Sequence, residues 1–188
     1  LSADLRNGPM QYAVFFRNLN LGRPNCPNRA QFETAFLDAG ATAAASFLVN
    51  GTLAFSVAPD ESADEVLSRA CGLLAERCGL KEPAFLRGMG ALAALVARDP
   101  FAGFDQDAVY GCYATFLHPD ATVADGTTLR STKGDVDVLR LTGTEALSVV
   151  YQLGASPGSP NALLEKRLGL PATTRAWNTV VRLVARHG

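Results

Sequence analysis

The segment PATTRAWNTVV, Pro171 to Val181, concentrates two threonines, an arginine, a tryptophan and an asparagine at the start of what reads as the last helix. A helix N-terminus offers free N–H groups and the positive end of the dipole, and Arg175 adds a forked donor suited to phosphate or carboxylate. Thr173, Thr174, Arg175 and Asn178 are therefore candidate anion ligands. The same residues also read as a fastening, with a threonine capping the helix and Trp177, Val180, Val181 and Val184 docking on the core. A second polar group, Arg17 and Asn20, ends the first apolar run and leads into the loop NLGRPNCPN. Loops at strand ends carry function on many scaffolds, and an arginine with an asparagine on one tight loop can grip a carboxylate or phosphate. Arg175, Arg182 and Arg186 line up opposite Val180 and Val184, which reads as a solvated face or as a basic strip for a polyanion.

Catalytic chemistry has little to stand on. Of the two histidines, His187 is at the C-terminus and His118 lies in HPD, where Asp120 could orient the imidazole. No nucleophile elbow, P-loop or dinucleotide fingerprint accompanies them. Catalytic residues therefore stay unknown, and neither a cofactor nor a metal site is expected. The four cysteines, Cys26, Cys71, Cys78 and Cys112, form no CxxC pair. Cys71 and Cys78 sit about 10.5 Å apart along one helix at 1.5 Å per residue, too far for a disulfide, so free thiols in a reducing compartment are expected.

The formal net charge of −1 over 188 residues gives no global attraction to nucleic acid or to an anionic membrane, so any polyanion must meet a local patch. No apolar stretch approaches the roughly 20 residues of a membrane span, and the first residues lack the order of a signal peptide. A cytoplasmic protein is expected. Residues 1–9 lack any strand or helix period and read as a tag or a disordered native tail before Met10.

The elements that position these groups follow from periodicity. Tyr12 to Leu19 reads as a central strand. Asn28 caps a helix through Ala39, and SFLV and LAFSV form two strands around the hairpin signal Asn50-Gly51. Ser62 and Glu65 make a capping box for a helix that Gly79 stops, and AFLR follows as a strand. This βαββαβ order is the split-βαβ, ferredoxin-like plan. After a linking helix, Gly90 to Arg98, Tyr110 to Leu117 begins a second, looser copy. Its hairpin is VDVLRL and ALSVVYQL, and a loop, Pro119 to Asp135, stands where the first helix should be. Ser159-Pro160 opens a helix closed by Gly169, and the last helix runs from about Arg175 to Arg186. The expected fold is α+β, with two subdomains (10–104 and 105–188) of mainly antiparallel sheet, each resembling the split-βαβ plan.

NALLEKRLGLPATTRAWNTVVRL resembles the C-terminal signature of the domain of unknown function 1697 family, a basic helix followed by T-T-R-x-W-N-T. VFFRNLNLGR resembles its R-G-I-N-V-G-G loop, retaining Arg17, Asn20 and Gly22, and SFLVNGTLAF resembles its T-Y-I-Q-S-G-N-V-V-F strand pair, retaining Gly51 and Phe55. FLRGMGALAALVARDPF matches its middle segment. The resemblance implies a two-subdomain α+β fold and no established activity. In this chain Asn18 and Arg23 replace the loop glycines, and Pro157-Gly158-Ser159 replaces a Ser-Lys pair, so a ligand site of the family would be altered here.

The functional expectation is an uncharacterised protein binding a small anionic or phosphate-bearing ligand near Arg17, Asn20 and Arg175. Ranked below it are a single-stranded RNA module using Tyr12, Phe15 and Phe16, and an enzyme with a site between the subdomains using His118 or a buried cysteine. Oligomeric state is unknown.

Overall fold

The computed structural model describes residues 8–105 and 107–188; the expectation for the N-terminal tail falls mostly outside them. The chain divides into two compact units, one ending at Ala91 and taking in His187–Gly188, the other Leu92–Arg186.

In the first unit the order is β1 (Met10–Phe16), α1 (Arg29–Asp38), β2 (Ala43–Phe47), β3 (Thr52–Val57), α2 (Ala63–Cys78) and β4 (Ala84–Gly88), which leads directly into α3 (Met89–Ala97). The sheet order β2-β3-β1-β4, antiparallel throughout, is the split-βαβ arrangement. Alternation along β1 sends Val14 and Phe16 into one core with Phe32 and Phe36 of α1 and Val66, Ala70 and Leu74 of α2. Phe16, Phe32 and Phe36 meet edge to face at 5.4–6.4 Å between centroids, the geometry aromatic quadrupoles favour. Both helices start at caps legible in the sequence. Asn28 and Gln31 exchange side-chain and backbone hydrogen bonds at 2.8 and 2.9 Å, and Ser62 Oγ accepts from the Glu65 amide.

The β2–β3 turn differs from the two-residue hairpin that Asn50-Gly51 predicts. The last pair is Phe47 with Thr52, so four residues connect the strands, and Leu48 and Gly51 take φ of 60° and 75°. β2 starts three residues earlier than expected because pairing with β3 carries Ala43–Ala45 into the sheet despite alanine's low strand preference. The wider turn has a use. Val49 and Gly51 carbonyls accept from Leu21 N and Phe16 N, each at 2.9 Å, tying the loop after β1 to the turn.

The second unit contains β5 (Gly111–Leu117), β6 (Thr127–Arg130), β7 (Val136–Leu141), β8 (Glu145–Val150), α4 (Pro160–Leu168), β9 (Ala172–Ala176) and α5 (Trp177–His187). Its order, β6-β7-β8-β5-β9, repeats the first sheet with one strand added at the edge. The addition is β6, which lies inside the segment read as a loop and stands where α1 has no counterpart. Its core joins Val136, Val138, Leu141, Ala146 and Val150 to Leu164 of α4.

The last helix begins later than the sequence reading places it. Ala172–Ala176 pairs antiparallel with Leu117–Tyr113, and α5 follows without an intervening residue. Threonine suits both a cap and a strand, and the open edge of β5 decides between them. The buried face of α5 is Trp177, Val180 and Leu183, with Val181 and Val184 at its margin.

Candidate functional site

The β1–α1 connection is held in place from several directions. Arg17 N donates to Pro83 O at 2.9 Å, so the loop leaves the sheet beside the entry to β4. Leu19 is buried, and a Cβ added at Gly51 would lie 2.8 Å from the Leu19 Cβ, so this approach requires glycine. Asn18 and Asn25 take left-handed backbone, φ 53° and 59°, which asparagine tolerates better than most residues. Backbone bonds from Arg23 N to Asn20 O, Cys26 N to Arg23 O and Gly22 N to Pro27 O close the loop on itself.

Between this loop and the α2–β4 connection lies a cavity of about 320 Å³, bounded by Asn18 and Pro24–Cys26 on one side and Gly79–Glu82 on the other. Arg17 Nη1 stands 3.6 Å from Glu82 Oε2. From Arg17 to Phe32 the sequence holds three arginines and no acidic residue. Arg29 faces Glu33 at 3.9 Å and donates to Ser46 O. Arg23 and Lys81 are exposed and enter no ion pair among the described residues. The cavity is therefore polar; the charged residues that line it are Lys81 and Glu82, and the adjoining loop adds Arg17 and Arg23 without an acidic residue. Asn20 is exposed on the same loop.

The other candidates occupy β9 and the first turn of α5, in the second unit. Thr115 Oγ1 and Thr174 Oγ1 are 2.7 Å apart, and Thr174 donates onward to Asn161 Oδ1 of α4 at 3.0 Å, so Thr115 supplies the proton between the hydroxyls. The Ala172 amide donates to Glu165 Oε1. β9 is thus bound to β5 on one side and to α4 above. Arg175 is 6% exposed; its Nη1 donates to Thr173 Oγ1 at 2.9 Å and to Thr174 O at 3.0 Å. Burial lowers its pKa to about 10. Asn178 is exposed, while Trp177 packs edge-on against Phe101 at 5.3 Å. The arginine row expected along α5 loses its first member, because Arg175 lies in the strand.

The remaining chemistry recedes at closer range. The Asp120 amide donates to His118 Nδ1 at 3.2 Å, with the Asp120 carboxylate 3.6 Å from the same nitrogen. Nδ1 accepts in a local turn, the reverse of the donation that lets a carboxylate orient a catalytic base. All four cysteines are free, and burial pushes the Cys71 thiol up to about 11. Among the described residues no cluster of histidine, cysteine, aspartate and glutamate could hold a metal ion, and no helix is long and apolar enough to cross a membrane. Phe15 and Phe16 are buried and Tyr12 stacks on Phe55 at 5.8 Å, which removes them as a platform for bases.

Sequence reasoning singled out Arg17 and Asn20, which belong to the loop but do not line the cavity, and did not single out as ligands Lys81, Glu82 or Cys26, which do line it. The α2–β4 connection is more than fifty residues away along the chain. Only the pairing of β4 with β1 brings it beside the loop.

Fold and site together define an α+β protein of two units built on repeated split-βαβ sheets. The chain belongs to the family described as Protein of unknown function (DUF1697), whose model matches residues 10–146 and so ends before PATTRAWNTVV. The conserved bacterial protein SP0830 from Streptococcus pneumoniae has a similar structure, with a TM-score of 0.61 over 95% of this chain and 98% of that one at 12% identity, a likeness of fold alone. No curated protein matches the chain.

Proposed function

We propose that the protein binds a small anionic ligand, bearing phosphate or carboxylate, in the cavity between the β1–α1 loop and the α2–β4 connection. The observation that carries this reading is Lys81, which lines a polar cavity of about 320 Å³ and enters no ion pair among the described residues, with Arg23 next in the chain to the lining residue Pro24. That volume is at the lower end of ligand-sized cavities. Asn18 and Asn25 supply carboxamides at the same rim, and Asn20 lies one turn of loop away. Arg17 faces Glu82, a residue of the cavity's wall, at 3.6 Å. In this reading Thr173, Thr174 and Arg175 fasten β9 and Asn178 is an exposed helix residue, so the anion is held without them. Four free thiols fit a reducing, cytoplasmic setting.

Calorimetric titration of the full chain with inorganic phosphate tests the reading. Lys81→Ala and Arg23→Ala should each weaken binding about tenfold, near 1.4 kcal/mol, whereas Arg175→Met should leave it unchanged. Affinity indifferent to both the Lys81 and Arg23 substitutions would overturn it.

A further inference from the structure

The second unit holds a cavity of different character. It measures about 290 Å³ and is lined by Leu95 of α3, Arg98 and Pro100 just beyond that helix, Leu139 and Arg140 of β7, and Leu147 of β8. Its floor is apolar, since Leu95 and Leu147 are themselves almost completely buried. Its charged members are two guanidiniums.

The backbone explains how neighbouring residues of one strand both reach this space. In a regular strand Leu139 and Arg140 would point to opposite faces. The β7–β8 register, however, passes from Val138 opposite Ser148 to Arg140 opposite Leu147, leaving Leu139 as an extra residue. Such a bulge re-aims side chains, and here it turns Leu139 and Arg140 to the same cavity as Leu147. The other arginine is set by a second irregularity. Asp99, between Arg98 and Pro100, takes φ of 45°, and its backbone closes two tight turns, to Val96 O and from Ala102 N.

Among the described residues neither Arg98 nor Arg140 is paired with a carboxylate. Elsewhere in the molecule arginines close to acidic residues do pair, as Arg69 does with Glu61 at 2.6 Å and Arg77 with Asp38 at 2.7 Å. Two uncompensated guanidiniums over an apolar floor complement a molecule with an anionic head and a hydrocarbon body. A carboxylate matches the planar fork of arginine, and the body would cover Leu95, Leu139 and Leu147.

We propose that this cavity is a binding site for a small apolar carboxylate, separate from the polar anion cavity of the first unit. The head is held by Arg98 and Arg140 and the body lies against the three leucines and Pro100.

Octanoate is the probe, titrated calorimetrically into the full chain alongside acetate, which has the head alone, and octanol, which has the body alone. Octanoate should bind at least about tenfold more tightly than either, since loss of one charge-assisted contact or of a few buried methylenes each costs on that order. Arg98→Gln and Arg140→Gln should each weaken octanoate binding by about tenfold while leaving the thermal midpoint and the phosphate affinity of the other cavity unchanged. Leu139→Ser, a change at a half-buried position, gives a second reading that spares the charges, and should weaken octanoate without altering acetate. Octanol binding as tightly as octanoate, acetate doing so, or full octanoate affinity in both glutamine variants would overturn the proposal. Its failure would not touch the phosphate site, whose variants lie in the other unit.

Discussion

Thr174→Val is the sharpest test of what the threonine-rich segment does. The hydroxyl of Thr174 is the middle of a chain, accepting from Thr115 at 2.7 Å and donating to Asn161 at 3.0 Å. Valine keeps the shape and the strand preference and removes both bonds. Each intramolecular hydrogen bond is worth about 1 kcal/mol net, and leaving a buried hydroxyl without a partner costs a further ~1–3 kcal/mol. Thr115 is fully buried, so it bears that penalty; Asn161 is half-buried and can turn to water. Thr174→Val should therefore cost about 3–5 kcal/mol, and Thr115→Val about 1 kcal/mol, because Thr174 keeps Asn161. The double variant strands no hydroxyl and should cost about 2 kcal/mol, less than the sum by roughly 2–4 kcal/mol. Urea unfolding followed by tryptophan fluorescence measures all three. The chain has one tryptophan, Trp177, and it lies immediately after β9. A Thr174→Val protein within 0.5 kcal/mol of the parent, or singles and double that simply add, would refute the reasoning.

Arg175→Lys should destabilise more than Arg175→Met, because lysine keeps the buried charge and lacks the planar guanidinium that places Nη1 on both Thr173 and Thr174, whereas methionine removes the desolvation cost with the charge; the reverse order in thermal midpoints would contradict a fastening role. Gly51→Ala should cost roughly 1–3 kcal/mol in chemical unfolding, since alanine would be strained at φ 75° and its Cβ would lie 2.8 Å from that of Leu19; a neutral outcome would mean that the loop gives way freely. With its pKa raised to about 11 from 9.0, Cys71 should react with a thiol reagent far more slowly in the folded protein than in urea. The same shift has a sign: the folded state prefers the neutral thiol, so this contribution is complete below pH 9 and is lost as pH rises from 9 towards 11, a decline that Cys71→Ala should lessen.

What the sequence showed and what it hid divide along physical lines. Caps were legible because they are local: Asn28, Ser62 and Ser159 each accept from an amide three residues on, as their spacing predicts. The glycines that end α2 and α4 were legible for the same reason, with φ of 72° and 68° at Gly79 and Gly169. Elements chosen by distant partners were not. Ala43–Ala45 and Ala172–Ala176 become strands because an open edge meets them, and β6 is four residues with no pattern strong enough to stand out. The cavities were hidden for a related reason. One needs β4 beside β1, and the other needs an extra residue in β7 that no periodicity announces.

The repeat gives independent support for reading the T-T-R segment as a fastening. In the first sheet Ala13 of β1 faces Arg87 of β4; in the second, Ala114 of β5 faces Arg175 of β9. Each arginine stands two residues before a helix that follows its strand without a loop, and each strand is the last of its sheet. Each also donates from Nη1 to the carbonyl just before it, Arg87 to Leu86 O at 2.6 Å and Arg175 to Thr174 O at 3.0 Å. A strand at a sheet edge has carbonyls with no neighbouring strand to satisfy them, and such edges invite pairing with other chains. An arginine folded back onto its own backbone satisfies one of those groups where the strand turns into a helix. Because the same device recurs where the surrounding residues differ, LeuArgGly in one unit and ThrArgAla in the other, the shared requirement is the geometry of the strand-to-helix junction. A ligand specific to the threonines would have no reason to repeat itself at Arg87.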